Sequence, residues 1–296
     1  MKVQANGIAI EVEDTGETDR PVVLLVMGLG LQLISWPPPF LRALNDAGFR
    51  VVRFDNRDVG LSQHFDDKGL PNLMWEGFKQ RVGLPVKAPY TLDDMASDTL
   101  GVLDALGIAR AHIVGVSMGG MIAQRVAIRA PERVTSLSSI MSSSGARFLP
   151  GPKPQVLQAL FSRPAGTGEA GIVDHFVKVF RIIGSPGFPT DEASLREGIR
   201  AGVRRSYHPA GTMRQMAAVA ADTRRARELA RVKSPTLVIH GRDDPLVPLA
   251  CGHDTARRIR GARMMAVHGM GHDLPPGVCK HLVAALVPHL RQAEGP

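Results

Sequence analysis

His112–Gln124 reads HIVGVSMGGMIAQ. Its first half is apolar and β-branched, like a buried strand, and its second half carries Gly, Ala and Met at helical spacing. A single hydroxyl, Ser117, stands at the switch, with Gly115 and Gly119 two positions to either side. A chain that turns this sharply from strand to helix strains the residue at its apex, and side chains at the flanking positions would clash. The spacing therefore predicts a serine raised on a strand-to-helix elbow. The helix that follows, patterned over Gly119–Ile128, aims its N-terminus at the serine and leaves the Met118 N–H free to donate.

A serine hydroxyl is a weak nucleophile at neutral pH. It needs a base within hydrogen-bond reach, a carboxylate to orient that base, and donors aimed at the oxyanion that forms on attack. In chains with this elbow the acid and then the histidine follow the serine. Of the ten histidines, His272 is the favoured base, because it lies on the glycine-rich loop HGMGHDLP just past the last apolar strand. His268, at the end of that strand, is second. His175 and His208 fall among helix-like segments, His240 reads as a packed strand end, and His253, His281 and His289 lie on helical patterns. No Asp or Glu occurs between Arg133 and Gly168, which excludes an acid after the strand next to the elbow. The next strand ends in IHGRDDPLVP, offering Asp243 and Asp244. Asp244 is the choice, since Pro245 biases it to an extended backbone, and Asp243 reads as a turn residue. The second oxyanion donor is expected from the loop Val26-Met27-Gly28-Leu29-Gly30. The Leu29 N–H is preferred and Gly28 is its neighbour.

Outside these motifs, short apolar strands alternate with helical patterns, the signature of a largely parallel sheet with helices on both faces. Strands are expected at 7–14, Val22–Met27, Phe49–Phe54, His112–Val116, Ser136–Met141, Thr236–His240 and Arg263–Val267. The clearest helix is Thr91–Leu106, with Thr91 as N-cap and Asp93 and Asp94 at the positive end of the dipole. From Gly145 to about Arg231 the rhythm breaks into helix-like pieces separated by PAGTG, GSPGFPT and HPAG. A structureless loop of that length is improbable. Residues 1–144 and 232–296 are accordingly expected to form the core domain, with 145–231 a helical cap inserted over a pocket.

Composition narrows the class. With 296 residues, 44% hydrophobic and 22% charged, the chain is an ordinary globular one. The N-terminus has no apolar stretch after its first charge, and the glycine-broken apolar runs are too short to span a bilayer, so a cytoplasmic protein with no membrane partner is expected. The net charge of +8 comes from dispersed basic residues, and aromatics make up 5%, so a nucleic-acid partner is not expected and a solvated basic surface is. Cys251 and Cys279 form no ligand or CxxC pattern and read as free thiols.

With VMGLG, FDNRDVGLS, GVSMGG, HGRDDPLVP and GMGHDLP in place, the chain resembles the α/β-hydrolase superfamily over about residues 3–290. The resemblance implies a mostly parallel twisted sheet flanked by helices, with a helical cap. Its triad maps to Ser117, Asp244 and His272, and its oxyanion donors map to Met118 and Leu29. The segment Asp55–Ser62 then has a structural role beside the pocket. A Met-Gly pair, Met27-Gly28, stands where His-Gly is more usual, as in the aclacinomycin methylesterase branch. The expected chemistry is two-step acyl transfer on a small-molecule carboxylic ester, needing no metal, nucleotide or organic cofactor.

Other readings remain at this stage. Cofactor-free haloperoxidases or perhydrolases share the serine triad, and a hydrolase-like receptor could hold a ligand with little turnover. A serine at 117 argues against dehalogenases and epoxide hydrolases of this fold, which use aspartate there. Met27, Gly28, Trp36 and Met270 are expected near the substrate, with Trp36 and the run Pro37-Pro38-Pro39 framing one wall. Oligomeric state is not legible.

Overall fold

The computed structural model describes all residues except Thr167 and Pro296. In chain order the elements are β1 (Lys2–Ala5), β2 (Ile8–Asp14), β3 (Val22–Val26), α1 (Pro38–Asp46), β4 (Arg50–Phe54), α2 (Leu73–Val82), α3 (Leu92–Ala105), β5 (Ala111–Val116), α4 (Met118–Arg129) and β6 (Val134–Ile140). Then follow α5 (Pro154–Phe161), α6 (Glu169–Ile183), α7 (Glu192–Arg205), α8 (Pro209–Ala221), α9 (Arg225–Glu228), β7 (Thr236–Gly241), α10 (Leu249–Arg258), β8 (Arg263–Val267) and α11 (Pro276–Glu294).

The strands form an eight-stranded sheet in the order β1-β2-β4-β3-β5-β6-β7-β8. β2 pairs antiparallel with β1 and β4, and from β4 through β8 every neighbouring pair is parallel. β3 pairs with β4 on one side and β5 on the other, so the direction of chain progression reverses at β3. In open α/β sheets ligands bind outside the carboxyl ends of the strands at such a switch point. Ser117 directly follows β5, and the Met27–Gly30 loop directly follows β3.

Period-two alternation divides β3 between the sheet faces. Val22, Leu24 and Val26 pack with α3 and α4 residues such as Leu92, Met95, Ile122 and Val126. Val23 and Leu25 pack with α1 and α11 residues such as Phe40, Leu44, Leu282 and Leu286. The β-strands match the expected positions to within a residue or two, and β1 adds a strand the alternation pattern did not reveal. The capping at Thr91 is a full box: its hydroxyl accepts from Asp94 N–H, and the Asp94 carboxylate accepts from Thr91 N–H.

Some expectations change. The Pro37–Pro39 run opens α1, with Pro37 as N-cap, because the first turn of a helix has N–H groups that need no internal partner. HPAG likewise starts a helix, Pro209 being the first residue of α8. The basic surface is only part of the charge story. Arg57, Arg125, Arg214 and Arg225 are buried and paired with carboxylates, Arg57 with Asp98 and Arg214 with Asp58 among them. Among the described residues no helix is long and apolar enough to cross a membrane, and both cysteines are buried free thiols.

Candidate active site

The elbow forms as its glycines require. Ser117 has φ +55° and ψ −122°, a strained backbone conformation costing on the order of 1–3 kcal/mol. Bonds from both sides hold it: Ser117 N–H donates to Ile140 O (2.9 Å), and the Ser142 hydroxyl donates to Ser117 O (2.7 Å). A Cβ on Gly115 would overlap the Gly119 carbonyl, and one on Gly119 would overlap the Val26 carbonyl. Both obstacles are backbone, so neither can swing aside.

Ser117 meets the residues predicted for it. Its Oγ lies 2.9 Å from His272 Nε2, and His272 Nδ1 lies 2.7 Å from Asp244 Oδ2. A carboxylate only accepts, so Nδ1 carries the hydrogen in this pair and Nε2 presents its lone pair to the serine hydroxyl. Asp244 is fixed in turn, its Oδ1 accepting from Leu246 N–H (2.9 Å) and Val247 N–H (2.8 Å). Asp243 lies in the turn after β7, as expected, and accepts from Gly269 N–H (2.8 Å), tying that turn to the loop of His272. His240 is fully buried beside Asp244 and bonds Val247 O (2.7 Å). Burial lowers its pKa. His268 and His253 are exposed, and neither approaches the serine hydroxyl within hydrogen-bond distance.

The histidine loop is also strapped to the segment between β6 and β7. His272 N–H donates to Ile183 O (2.7 Å), Gly187 N–H to Gly269 O (2.9 Å) and Gly271 N–H to Ser185 Oγ (2.9 Å). The Ser185 hydroxyl passes its own hydrogen to Asp273. Burial pushes the Asp273 carboxyl up to about 6, against the bond from Ser185.

On the other side of the serine lies the loop after β3. A Cβ at position 28 would stand 3.3 Å from Ser117 Cβ, so the Gly28 backbone rests against the serine. Leu31 N–H closes back on Gly28 O (3.3 Å), making Gly28–Leu31 a β-turn with Gly30 at its positive-φ position. Among the described residues, neither the Leu29 nor the Met118 backbone N–H donates a hydrogen bond. Asn56 Nδ2 donates to Met27 O (2.9 Å), which gives FDNRDVGLS a direct structural link to this loop. Asp55 receives Leu33 N–H (2.7 Å) and Arg205 (2.7 Å), and Arg205 also bonds Gln32.

The residues expected near the substrate separate. Gly28 sits at the serine and Met27 precedes it, buried in the core face shared with Trp36 and Met270. Trp36 has no exposed surface and stacks on Phe40 with centroids 5.4 Å apart, and Met270 is equally buried. They form the packing beneath the site and offer no surface to a ligand; Trp36, just before α1, and Met270, past β8, are covered within the same core cluster as Phe40 and Leu282. A cavity of about 340 Å³ lined by Val22, Arg50, Arg110 and Thr135 lies at the amino ends of the strands, away from the serine. Sequence reasoning missed Gln215, Gln32, Arg205 and Ser185. All lie in or contact the 145–231 segment, where no local motif marks them.

The comparisons agree with this architecture. A family model described as "alpha/beta hydrolase fold" matches residues 21–165, and one described as "TAP-like protein" matches 211–290. Rhodomycin D methylesterase DauP of Streptomyces sp. (strain C5) is 31% identical, over 95% of this chain and 94% of its own. A putative carbamate hydrolase, RutD of Caulobacter segnis, is 30% identical over 90% of each chain. The enol-lactonase of Burkholderia xenovorans LB400 superposes with a TM-score of 0.73 over 98% of this chain and all of its own; at 24% identity that likeness is one of fold. The chain belongs to the α/β-hydrolase family. It is an enzyme, a hydrolase of esterase type.

Proposed function

We propose that the protein cleaves a small, apolar carboxylic ester through an acyl-enzyme on Ser117. The observation that carries this reading is the continuous chain from Asp244 through His272 to the Ser117 hydroxyl, at 2.7 Å and 2.9 Å. His272 Nε2 takes the hydroxyl proton as Oγ attacks the ester carbonyl carbon. Asp244 holds the imidazole in the required tautomer and stabilises its charged form. The undonated N–H groups of Met118 and Leu29 receive the oxyanion. The tetrahedral intermediate collapses, His272 protonates the leaving alcohol, and water repeats the sequence to release the acid and restore Ser117.

The helices between β6 and β7 act in this reading as a cap over the carboxyl ends of the strands. Likeness to a rhodomycin D methylesterase over nearly the whole chain makes methyl esters the first substrates to offer. The test pairs such esters and short p-nitrophenyl esters with Ser117→Ala and a serine-directed phosphonate read by intact mass. The expected outcome is turnover that falls at least about 10⁴-fold in the variant, with one label on Ser117 of the wild type. Labelling without turnover on any ester would favour a ligand-holding receptor. Full activity in Ser117→Ala would end the proposal.

A further inference from the structure

The segment between β6 and β7 reaches the oxyanion side of the site through one buried amide. Gln215, on α8, is fully buried. Its Oε1 accepts from Gly30 N–H (2.9 Å), and its Nε2 donates to Arg57 O (2.8 Å). Thr212, one helical turn earlier, fills the space a Cβ on Gly30 would need, its Oγ1 standing 2.7 Å from that position. The Gly30 N–H belongs to the central peptide of the Gly28–Leu31 turn. Turn types I and II differ chiefly by a flip of that peptide, and Gly30 at φ +66° stands on the type II side. A carbonyl-like acceptor facing the N–H selects that flip. A donor on the same amide, spent on Arg57 O, stops the amide rotating to offer its NH₂ instead.

We infer that Gln215 is a positioning residue for the oxyanion site: by locking the central peptide of the Gly28–Leu31 turn, it sets the adjoining Leu29 N–H relative to Ser117. This rests on the acyl-enzyme reading above and extends it, because it makes α8 part of the catalytic geometry as well as a cover. Gln215 touches neither substrate nor the reacting atoms; it acts through the loop. An oxyanion donor displaced by a fraction of an ångström loses much of its transition-state stabilisation, while ground-state binding changes little.

The experiment compares Gln215→Met, which keeps the bulk and removes both bonds, with Gln215→Glu. The wild type and both variants are read for kcat and KM on the best ester, for the rate of phosphonate labelling, for Tm, and for hydrogen exchange of the peptide spanning residues 27–33. For Gln215→Met we expect kcat and labelling rate to fall about 10- to 100-fold with KM within about threefold, and faster exchange at 27–33 but not at 115–124. In Gln215→Glu the introduced carboxyl, once protonated, can both accept from Gly30 N–H and donate to Arg57 O, so this variant is expected to regain activity relative to wild type as pH falls. A merely structural glutamine would lower Tm and leave kcat per labelled site and the pH profile of Gln215→Glu unchanged, and that result overturns the inference. Unchanged exchange at 27–33 in Gln215→Met overturns it as well. A wild type that labels but turns over no ester would count against the ester reading alone, with exchange and labelling rate still deciding the role of Gln215.

Discussion

The strand-to-helix elbow and the loop after β3 meet at Ser117, yet they are held by different means. At the elbow, residues 115–120 meet one another and the end of β3, two bonds tie Ser117 to Ile140 and Ser142, and the close fit depends on missing side chains: Gly115 and Gly119 face backbone atoms that cannot move. The loop after β3 is held from far along the chain by Asn56, Asp55, Arg205 and Gln215, with Arg205 gripping Gln32 just past the turn. The elbow is therefore rigid by steric exclusion, and the loop is rigid only as long as its long-range polar partners stay in place. Steric exclusion fails abruptly when a single atom is added. A network of hydrogen bonds fails in steps, each bond contributing on the order of 1 kcal/mol.

The strongest challenge to this contrast is Gly119→Ala. It should destabilise the fold by more than about 4 kcal/mol, or prevent folding, because the added methyl meets the Val26 carbonyl. A urea titration placing it within about 1 kcal/mol of wild type would show that the elbow is not sterically fixed. Next comes Asn56→Leu, which leaves the buried Met27 carbonyl without its partner. A loss of about 1–3 kcal/mol is expected, with kcat falling alongside it. If stability falls while activity per labelled serine is untouched, the loop does not depend on that bond. Gly30→Ala sharpens the comparison at a smaller scale: the positive φ disfavours a side chain by about 1–2 kcal/mol, and the methyl meets only the Thr212 side chain. Combining it with Thr212→Ala should recover the steric part and leave the backbone part, so a double-mutant cycle separates them.

A last comparison distinguishes the two ends of the sheet by pH. Near the site, Asp273 is held protonated up to about 6 by burial, so the folded state binds more protons than the unfolded one between about pH 4 and that value. Its contribution to stability is present at acid pH and is lost as pH rises. At the amino end, burial lowers His112 and His289 to about 4. There the unfolded state takes up protons first, so stability falls as pH drops from about 6.5 toward about 4. Thermal melts across that window should show Asp273→Asn steepening the acid loss and His289→Phe flattening it. Parallel curves for both variants would mean that neither group is coupled to folding.

The likeness to hydrolases of the same family fits this division. The motifs that identify the family lie at strand ends, where spacing along the chain and spacing in space coincide. Ser117, Asp244 and His272 could each be chosen because every one sits a few residues past a readable strand, and a parallel sheet brings such ends together on one edge. Trp36 and the proline run were misread because burial is a property of the assembled faces, and neither proline spacing nor an isolated tryptophan says which face will cover it.

By itself the sequence determined the sheet apart from β1, the elbow and the three side chains that meet there, because glycine spacing and alternating apolar residues are local constraints, and each of the three sits a few residues past a readable strand. Only the tertiary structure decided what holds the loop after β3. Gln215 lies 185 positions from Gly30, on a helix whose sequence carries no motif, and its amide finds the Gly30 N–H only after α8 packs across the loop. Hydrogen-bond partners so far apart leave no periodic trace, since nothing in the chain between them has to repeat.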